Sequence, residues 1–390
     1  MSTHISKRIA GLGASSFDLY VRAQKLREQG ISVIQLVLGE PDFPTPDHIK
    51  QKAMEGLAKD LTHYTMPQGL PELREAVSEY EYRRTGVRFS PDQVVITPGA
   101  KPMILYALMA ITNPGDEVLY PDPGYLTYPS LIHLAGGTPV PYRLDEENGF
   151  QPDFQDLTQK ISSRTVAILL NSPHNPTGSI LSRESIERIL DLAREKDFYV
   201  ISDEIYSRLV FEGEFVSVLE YWTPDGRILF IDGFSKAFAM TGWRLGYGVV
   251  PKDLVQPIVK LVTNTVSCAP SFVQYAGIEA LLGPQDAVEK MRQTFARRRD
   301  LVLQEFRKTD LLSAHVPQGT FYVFPRYHRI PQKSLDVAIH VLEHQHVSIL
   351  PGSFFGPSGE FHLRLSFAAS ESDLREGIRR LVRGLEALAS

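Results

Sequence analysis

The chain has 390 residues, of which 43% are hydrophobic and 22% are charged, the balance of an ordinary globular protein with one or two domains. Its 41 lysines and arginines against 46 aspartates and glutamates give a formal net charge of −5. That balance offers no electrostatic basis for binding nucleic acid or an anionic membrane. The single cysteine excludes a disulfide within the chain and fits a reducing compartment.

The N-terminal part of the chain lacks the apolar stretch of a secretory signal. The longest apolar run, residues 103–111, is far shorter than the roughly 20 residues that a membrane span needs. We therefore expect a soluble, cytoplasmic protein without a membrane partner. The stretch YVRAQKLREQG at residues 20–30 predicts a helix, which we expect to join the C-terminal part of the chain.

Between residues 93 and 250, short apolar runs alternate with helical stretches. The runs that predict strands lie at residues 93–97, 116–121, 165–172, 198–204, 227–234 and 245–250. Helices are predicted at 101–112 and at 182–196, where one face carries Ile186, Ile189, Leu190 and Ala193. Strands that are apolar on both faces and joined by helices predict an α/β fold with a mainly parallel sheet flanked by helices.

The pattern changes after about residue 284. A long charged helix precedes short apolar segments, and an amphipathic helix ends near Leu388, which together predict a smaller α+β module. We therefore divide the chain into a large domain at residues 48–283 and a small domain built from both chain ends, residues 1–47 and 284–390.

Polar residues follow several of the predicted strands, where ligands bind in open α/β sheets. Asp203 follows one strand, with Tyr206 close behind, and fits either a solvated strand cap or a carboxylate aimed at a cationic ligand nitrogen. Asn175, in the turn NSPHNPTG at residues 171–178, fits an ordinary turn and a rigidly held amide equally well.

The segment ITPGAK at residues 96–101 leads from a strand into a helix N-terminus. The helix dipole and the outward N–H groups of Gly99, Ala100 and Lys101 would favour an anion there. The spacing matches neither of the common phosphate-binding loops, so the segment alone indicates a phosphate only weakly.

The segment FSKAFAMTGWRLGY at residues 234–247 places Lys236 among small and apolar residues, with Arg244 eight positions later. Alone, Lys236 fits an ordinary surface lysine. In partly apolar surroundings, however, a lysine has a lowered pKa, and only its neutral amine attacks an aldehyde. With a phosphate clamp, an acid for a pyridine nitrogen and donors for a phenolic oxygen elsewhere in the chain, Lys236 fits a lysine that forms a Schiff base with pyridoxal 5′-phosphate.

Over nearly its whole length the chain resembles the fold-type I aminotransferases of classes I and II, in particular the prokaryotic-type aspartate and aromatic aminotransferases. The segments that carry the resemblance stand in the family's order: LGEPDF (38–43), HYTMPQGLPELREA (63–76), TPGAK (97–101), PDPGYLTYP (121–129), NSPHNPTG (171–178), SDEIY (202–206), GFSKAFAMTGWRLGY (233–247) and HLRLSF (362–367).

The resemblance implies a role for each matching residue. Lys236 would hold the cofactor and, once freed by substrate, would shuttle the proton at the substrate Cα. Asp203 would pair with the pyridine nitrogen, while Tyr206 and Asn175 would hydrogen-bond the phenolic oxygen. Tyr125 would stack on the ring, although an ordinary core tyrosine would look the same in the sequence.

For the phosphate, the resemblance implies contacts from the backbone at Gly99, Ala100 and Lys101 and from the side chains of Ser235 and Arg244. Gly233 departs from relatives that have serine there, which would remove one phosphate contact. Tyr64 matches a tyrosine that the neighbouring subunit supplies, which implies a homodimer with shared active sites.

For the substrate, the resemblance implies that Arg364 grips the α-carboxylate, next to the backbone of Gly39 and to Asn175; a structural ion pair for Arg364 is the alternative. In some relatives a lysine matching Lys101 reaches a distal carboxylate, with help from a hydroxyl resembling Ser16. Lys101 therefore indicates acidic substrates, or else contributes only its backbone N–H to the phosphate. We assign no metal ligands.

The implied activity is a ping-pong aminotransferase of amino acid metabolism, which moves an amino group from an L-amino acid to a 2-oxo acid such as 2-oxoglutarate. Two alternatives share the cofactor-binding residues. One is a lyase, synthase or cyclase of the same fold, acting by elimination or ring closure. The other is a non-catalytic cofactor-binding sensor fused to a DNA-binding module, although no basic helix-turn-helix segment precedes residue 93.

Overall fold

The computed structural model describes residues 6, 9, 12 and 17–389, and for residues 17, 18 and 20 the backbone alone. The α-helices of this part are α1 (Phe17–Glu28), α2 (Asp47–Ala58), α3 (Pro71–Thr85), α4 (Ala100–Ile111), α5 (Tyr128–Leu134), α6 (Phe154–Lys160), α7 (Arg183–Lys196), α8 (Phe234–Ala237), α9 (Lys252–Thr265), α10 (Ser271–Leu282), α11 (Asp286–Phe306), α12 (Ser334–Gln345) and α13 (Glu371–Ala389).

The strands are mostly short outside the middle of the chain. They are β1 (Ile34–Gln35), β2 (Val94–Thr97), β3 (Glu117–Asp122), β4 (Thr138–Asp145), β5 (Gln151–Pro152), β6 (Thr165–Asn171), β7 (Tyr199–Asp203), β8 (Ile228–Gly233), β9 (Gly246–Val249), β10 (Leu312–Ser313), β11 (Tyr322–Val323), β12 (Arg326–Tyr327), β13 (Val347–Ser348), β14 (Leu350–Pro351) and β15 (Leu363–Ser366).

An eight-stranded sheet dominates the molecule, in the order β2-β9-β8-β7-β6-β3-β4-β5. Neighbouring strands from β8 through β4 run parallel, whereas β9 pairs antiparallel with both β8 and β2. The predicted α/β fold with a mainly parallel, mixed sheet is therefore confirmed.

The central strands are apolar on both faces because each face is covered by a separate core. In β6, Ile168 and Leu170 belong to one core cluster, while Ala167 and Leu169 belong to the cluster on the other face. The predicted helix at 182–196 is α7, and its predicted apolar residues are all buried. Two-sided burial explains why these segments read as continuous apolar runs.

A third core cluster lies in the C-terminal part of the chain, among α11, α12, α13 and the short strands β10 to β15. The N-terminal segment reaches this module, because β1 pairs in parallel with β13 through Ile34 and Val347. A smaller α+β unit built from both chain ends is what the sequence predicts; the boundaries at residues 47 and 284 stay a prediction. Within the described residues, no helix is long and apolar enough to cross a bilayer.

Candidate active site

A cavity of about 400 Å³ opens at the carboxyl ends of the central strands. Its lining contains most of the residues that the sequence singled out, namely Gly39, Ala100, Lys101, Tyr125, Asn175, Asp203, Tyr206, Ser235, Lys236, Arg244 and Arg364. These residues come from segments more than 300 positions apart, so the fold, and not the local sequence, brings them together.

The register of the parallel strands explains why three of these segments meet. Asn171 at the end of β6 lies opposite Asp203 at the end of β7, and Asp203 lies opposite Ile231 near the end of β8. Each strand then passes into the turn or helix that carries a candidate residue. The carboxyl ends of parallel strands form one edge, and the cavity lies along that edge.

Lys236 lies in the single-turn helix α8, immediately after β8. Its Nζ donates a hydrogen bond to the backbone oxygen of Gly39 and lies 5.9 Å from the ring centre of Tyr206 and 5.8 Å from that of Phe321. Burial, and next the positive charge of Arg364, lower the pKa of Lys236 from 10.5 to about 8. A substantial fraction of this amine is therefore neutral near neutral pH.

Asp203 is buried at the floor of the cavity. Its Oδ2 accepts a hydrogen bond of 2.8 Å from the hydroxyl of Tyr128, and its Oδ1 accepts one of 3.3 Å from the backbone N–H of Ile205. Burial raises the pKa of Asp203 to about 6, against the lowering effect of these hydrogen bonds. A cationic ligand nitrogen beside this carboxyl group would restore its negative charge.

Another part of the site combines a helix N-terminus with a guanidinium, groups that can hold an anion. Gly99 caps the N-terminus of α4 with φ of 99°, and Ser235 faces the same space. The guanidinium of Arg244 donates to the backbone oxygens of Thr241 and Pro98, at 2.9 and 3.3 Å. A Cβ at position 99 would lie 2.4 Å from Nη2 of Arg244, so only glycine lets the guanidinium lie against this loop.

Gly233 is constrained by packing. A Cβ at this position would lie 3.0 Å from the Cα of Gly246 and 3.2 Å from Cδ1 of Ile205. Both are tighter than ordinary van der Waals contacts. A side chain at position 233 would therefore press on Gly246 of β9 and on Ile205, which favours glycine there.

Arg364 is buried, with 4% of its surface exposed. Its Nη1 donates to Oδ1 of Asn175 at 3.2 Å, and its Nη2 donates to the backbone oxygen of Val37 at 2.8 Å. No carboxylate of the described residues forms an ion pair with it, and its Nε has no hydrogen-bond partner among them. A buried guanidinium without a carboxylate partner fits a site for a carboxylate ligand.

Two predicted residues lie elsewhere. Ser16 falls outside the described residues. Tyr64 is 86% exposed on the surface and does not line the cavity of its own chain. Exposure of a large aromatic side chain is what a residue supplied to a neighbouring subunit would show in an isolated chain.

The sequence analysis missed several residues of the site. Tyr128 anchors Asp203 and lies only three positions after Tyr125, in the same motif. Tyr322 lines the cavity from β11, where the segment FYVFP looks like ordinary core. Glu40 and Thr241 meet at the cavity mouth through a 2.8 Å hydrogen bond. Tyr128, Glu40 and Thr241 had a signal in the sequence, namely their places within matched motifs, whereas Tyr322 had none.

Comparisons with known proteins show the family to which this chain is similar. A model of the family described as aminotransferase class I and II matches residues 31–381. The probable aspartate/prephenate aminotransferase of Aquifex aeolicus is 38% identical over 396 residues, which cover 100% of both chains. The structure of Thermus thermophilus aspartate aminotransferase with maleate has a TM-score of 0.93 at 37% identity, and covers 98% of this chain and 100% of that one.

An alanine aminotransferase from Pyrococcus furiosus is equally similar in fold, with a TM-score of 0.94, 34% identity, and coverage of 98% of this chain and 100% of that one. Because these relatives are all named aminotransferases, the comparisons favour transamination over elimination or ring closure. They do not choose a side chain for the substrate, since an aspartate and an alanine enzyme share the fold.

Proposed function

The chain belongs to the class I and II aminotransferase family, and from this premise we propose that it is a pyridoxal 5′-phosphate-dependent aminotransferase acting on acidic amino acids. The proposal rests on four groups that line one cavity. They are the amine of Lys236, the carboxylate of Asp203 and the guanidinium groups of Arg244 and Arg364. Pyridoxal 5′-phosphate presents the complementary groups, namely an aldehyde, a ring nitrogen and a phosphate, and leaves a guanidinium free for a substrate carboxylate.

The donor set fits the cofactor at each end. Gly99 leaves space for the guanidinium of Arg244 against the N-terminus of α4, so cationic and N–H groups would face the phosphate. At the other end, no cation of the described residues forms an ion pair with the buried carboxyl group of Asp203. A protonated ring nitrogen would supply that partner, and Tyr206 and Asn175 would hydrogen-bond the phenolic oxygen.

When bound, the cofactor supplies an aldehyde that condenses with amines and a ring that withdraws electrons from the bond being broken. Lys236 would hold the cofactor through its amine and, once displaced by substrate, would take the proton from the substrate Cα and return it. Its lowered pKa keeps a useful fraction of the amine neutral for both tasks. Arg364 orients the substrate by binding its α-carboxylate, so that the Cα–H bond faces Lys236.

Lys101 is the basis for proposing acidic substrates. Its side chain lines the cavity, with Nζ 5.5 Å from the ring centre of Tyr125. No carboxylate of the described residues lies within ion-pair distance of it. An unpaired cation at the cavity wall would complement a distal carboxylate of the substrate. The Aquifex relative, which is named for aspartate and prephenate, supports the same substrate class.

We further propose a homodimer with shared active sites, in which Tyr64 reaches the cavity of the partner chain. Apolar side chains close to Tyr64 in sequence are also exposed, namely those of Met54, Leu57 and Met66. Their exposure supports a subunit contact on this face of the molecule. A cytoplasmic location and a biosynthetic role in amino acid metabolism complete the proposal and rest on the family resemblance alone.

A panel of amino donors with 2-oxoglutarate tests the proposed function, with the visible absorbance of the bound cofactor as the readout. Aspartate and glutamate should change the spectrum and give a 2-oxo acid, and a donor without acceptor should stop after one turnover. Continuous release of ammonia from the donor alone would instead identify a lyase. No visible absorbance in the purified protein after incubation with pyridoxal 5′-phosphate would refute the proposal.

Lys101→Ala tests the substrate class within that experiment. Loss of an exposed ion pair should raise the KM for glutamate about fivefold and leave the KM for a neutral donor nearly unchanged. Lys252→Ala, which removes an exposed lysine at the start of α9, is the matched control. An equal change in the KM for acidic and neutral donors in Lys101→Ala would show that the Lys101 side chain does not bind the distal carboxylate.

A further inference from the structure

Tyr322 touches two residues of the proposed site at once, although it belongs to the C-terminal module. Its phenolic oxygen lies 3.1 Å from that of Tyr206, and its ring centre lies 4.2 Å from Cζ of Arg364. Only 1% of its surface is exposed. One side chain therefore joins the residue proposed for the cofactor's phenolic oxygen to the residue proposed for the substrate carboxylate.

The surroundings of Tyr322 fix its position. Strand β11 pairs with β15, so that Tyr322 lies opposite Ser366, two residues after Arg364. Its ring packs against those of Phe321 and Tyr206, with centres 4.7 and 5.8 Å apart. A Cβ at Gly39 would lie 3.1 Å from the Tyr322 hydroxyl, so glycine there leaves room for that group. These contacts fix the ring of Tyr322 and leave space for its hydroxyl beside Gly39.

The number of available protons sets the direction of the hydrogen bond between the hydroxyls of Tyr206 and Tyr322. Each hydroxyl has one proton, and among the described residues each finds its hydrogen-bond partner in the other. If Tyr206 gives its proton to the phenolic oxygen of the cofactor, the proton between the two tyrosines must come from Tyr322. Donation by Tyr322 then strengthens the donation by Tyr206, because hydrogen bonds in a chain polarise one another.

We infer that Tyr322 is a positioning residue, which directs the proton of Tyr206 toward the cofactor and couples it to the charge of Arg364; this inference rests on the proposed function. The guanidinium over its ring makes the Tyr322 hydroxyl a stronger donor. A substrate carboxylate on Arg364 neutralises that charge and weakens the donation. Carboxylate binding would thereby raise the proton affinity at the cofactor, at the moment when the reaction begins.

Other ionisable groups face the same pair and belong to the same electrostatic environment. They are Tyr125 from the loop after β3 and Lys236 from α8, besides Arg364 from β15. A direct contact between Arg364 and Asn175, at 3.2 Å, offers a second route from the carboxylate to the cofactor. The contribution of the Tyr322 hydroxyl to this coupling must therefore be measured by removing that hydroxyl alone.

Tyr322→Phe does this, because it removes the hydroxyl and keeps the ring beneath Arg364. The readout is the pH midpoint at which the visible absorbance of the bound cofactor changes, measured without substrate. Loss of the donation to Tyr206 should raise this midpoint by about half a unit. Saturation with maleate, an unreactive dicarboxylate, should raise the midpoint of the wild type, and should raise that of Tyr322→Phe by less.

Tyr327→Phe is the matched control, because Tyr327 is a buried tyrosine of the same module whose hydroxyl donates to the backbone oxygen of Gln332 at 2.7 Å, outside the cavity. It should lower thermal stability as Tyr322→Phe does and leave the spectral midpoint unchanged. Tyr322→Leu, which also removes the ring, should in addition weaken maleate binding several-fold, through the loss of the cation–π contact.

The outcomes separate the two proposals. If the wild type binds the cofactor and the spectral pH midpoint of Tyr322→Phe equals that of Tyr327→Phe, the inference is overturned and the proposed function stays intact. An equal maleate shift in wild type and Tyr322→Phe would overturn the coupling to Arg364. Absence of a cofactor spectrum in the wild type would overturn the proposed function and the inference with it.

Discussion

The lowered pKa of Lys236 makes a quantitative prediction about how the cofactor-free protein captures pyridoxal 5′-phosphate. Only the neutral amine attacks the aldehyde, so the rate should follow the neutral fraction of Lys236. With a pKa of about 8, that fraction is about 10% at pH 7. An ordinary lysine with a pKa of 10.5 would be only about 0.03% neutral. The environment of the cavity thus raises the neutral fraction of Lys236 at pH 7 by roughly three hundredfold.

Stopped-flow absorbance after mixing cofactor-free protein with pyridoxal 5′-phosphate gives this rate between pH 6 and 10. The rate should rise about tenfold per unit up to pH 8 and then level off. Arg364→Gln removes the largest charge effect on Lys236, so the midpoint should move upward by about one unit. Arg297→Gln, an exposed arginine of α11, is the control and should leave the midpoint unchanged.

A wild-type rate that keeps rising tenfold per unit to pH 10 would refute the reasoning, because Lys236 would then behave as a solvated lysine. An unchanged midpoint in Arg364→Gln would have a narrower meaning. It would show that burial alone lowers the pKa of Lys236, without help from the charge of Arg364.

Three further predictions concern the dimer, the anion end of the cavity and a buried acid. Mixing Tyr64→Ala with Lys236→Ala chains should restore about a quarter of the wild-type activity through hybrid dimers with one intact site, whereas no recovery would place Tyr64 outside the partner's cavity. Gly99→Ala should weaken the affinity for pyridoxal 5′-phosphate at least about tenfold because its Cβ displaces the adjacent guanidinium, while Gly115→Ala, with a φ of 98° and open space around it, should not. Burial raises the pKa of Glu204 to about 7, and its Oε2 has no hydrogen-bond partner among the described residues. Below pH 4.5, Glu204 is protonated in both the folded and the unfolded state. Between pH 4.5 and 7 it stays protonated only in the folded state. The free energy of unfolding therefore falls as pH rises through this range, because the unfolded state is stabilised by ionisation. Glu204→Gln should therefore gain stability over the wild type as pH rises through this window, by up to about 3 kcal/mol in denaturant titrations, and a constant difference from pH 4 to 8 would contradict the assignment.

The central strands were predictable because each is buried on both faces. The predicted strand at 165–172 is Thr165–Asn171, and the predicted strand at 198–204 is Tyr199–Asp203. Strand β4 was missed, since Pro139 and Pro141 argue against a strand. These two prolines are two positions apart, so their missing N–H groups face the same side. The N–H of Thr138 donates toward β3, so positions 139 and 141 face the β5 side. Among the described residues β5 pairs with β4 only at residues 144 and 145, so the prolines cost no hydrogen bond between these strands.

The local sequence indicated which chemical groups the site contains, but not how they are arranged. Lys236 and Asp203 each fit an ordinary role when taken singly, and only their combination with the other motifs and the family resemblance points to a reactive amine and a buried acid. Arg364 was proposed only through the family resemblance, because by itself an arginine in an apolar strand also fits a structural ion pair. Tyr322 was not found at all, since a buried aromatic residue in a strand is the commonest component of a core.

The sequence by itself determined the class of fold and indicated the proposed cofactor chemistry, because apolar periodicity and short motifs are local properties of the chain. Only the tertiary structure decided which groups share one cavity, how far burial moves their pKa values, and which phenol lies beneath Arg364. Those properties depend on strand register and on desolvation by segments remote in sequence. A pKa is therefore a property of the folded surroundings, and the same lysine in the unfolded chain would be an ordinary one.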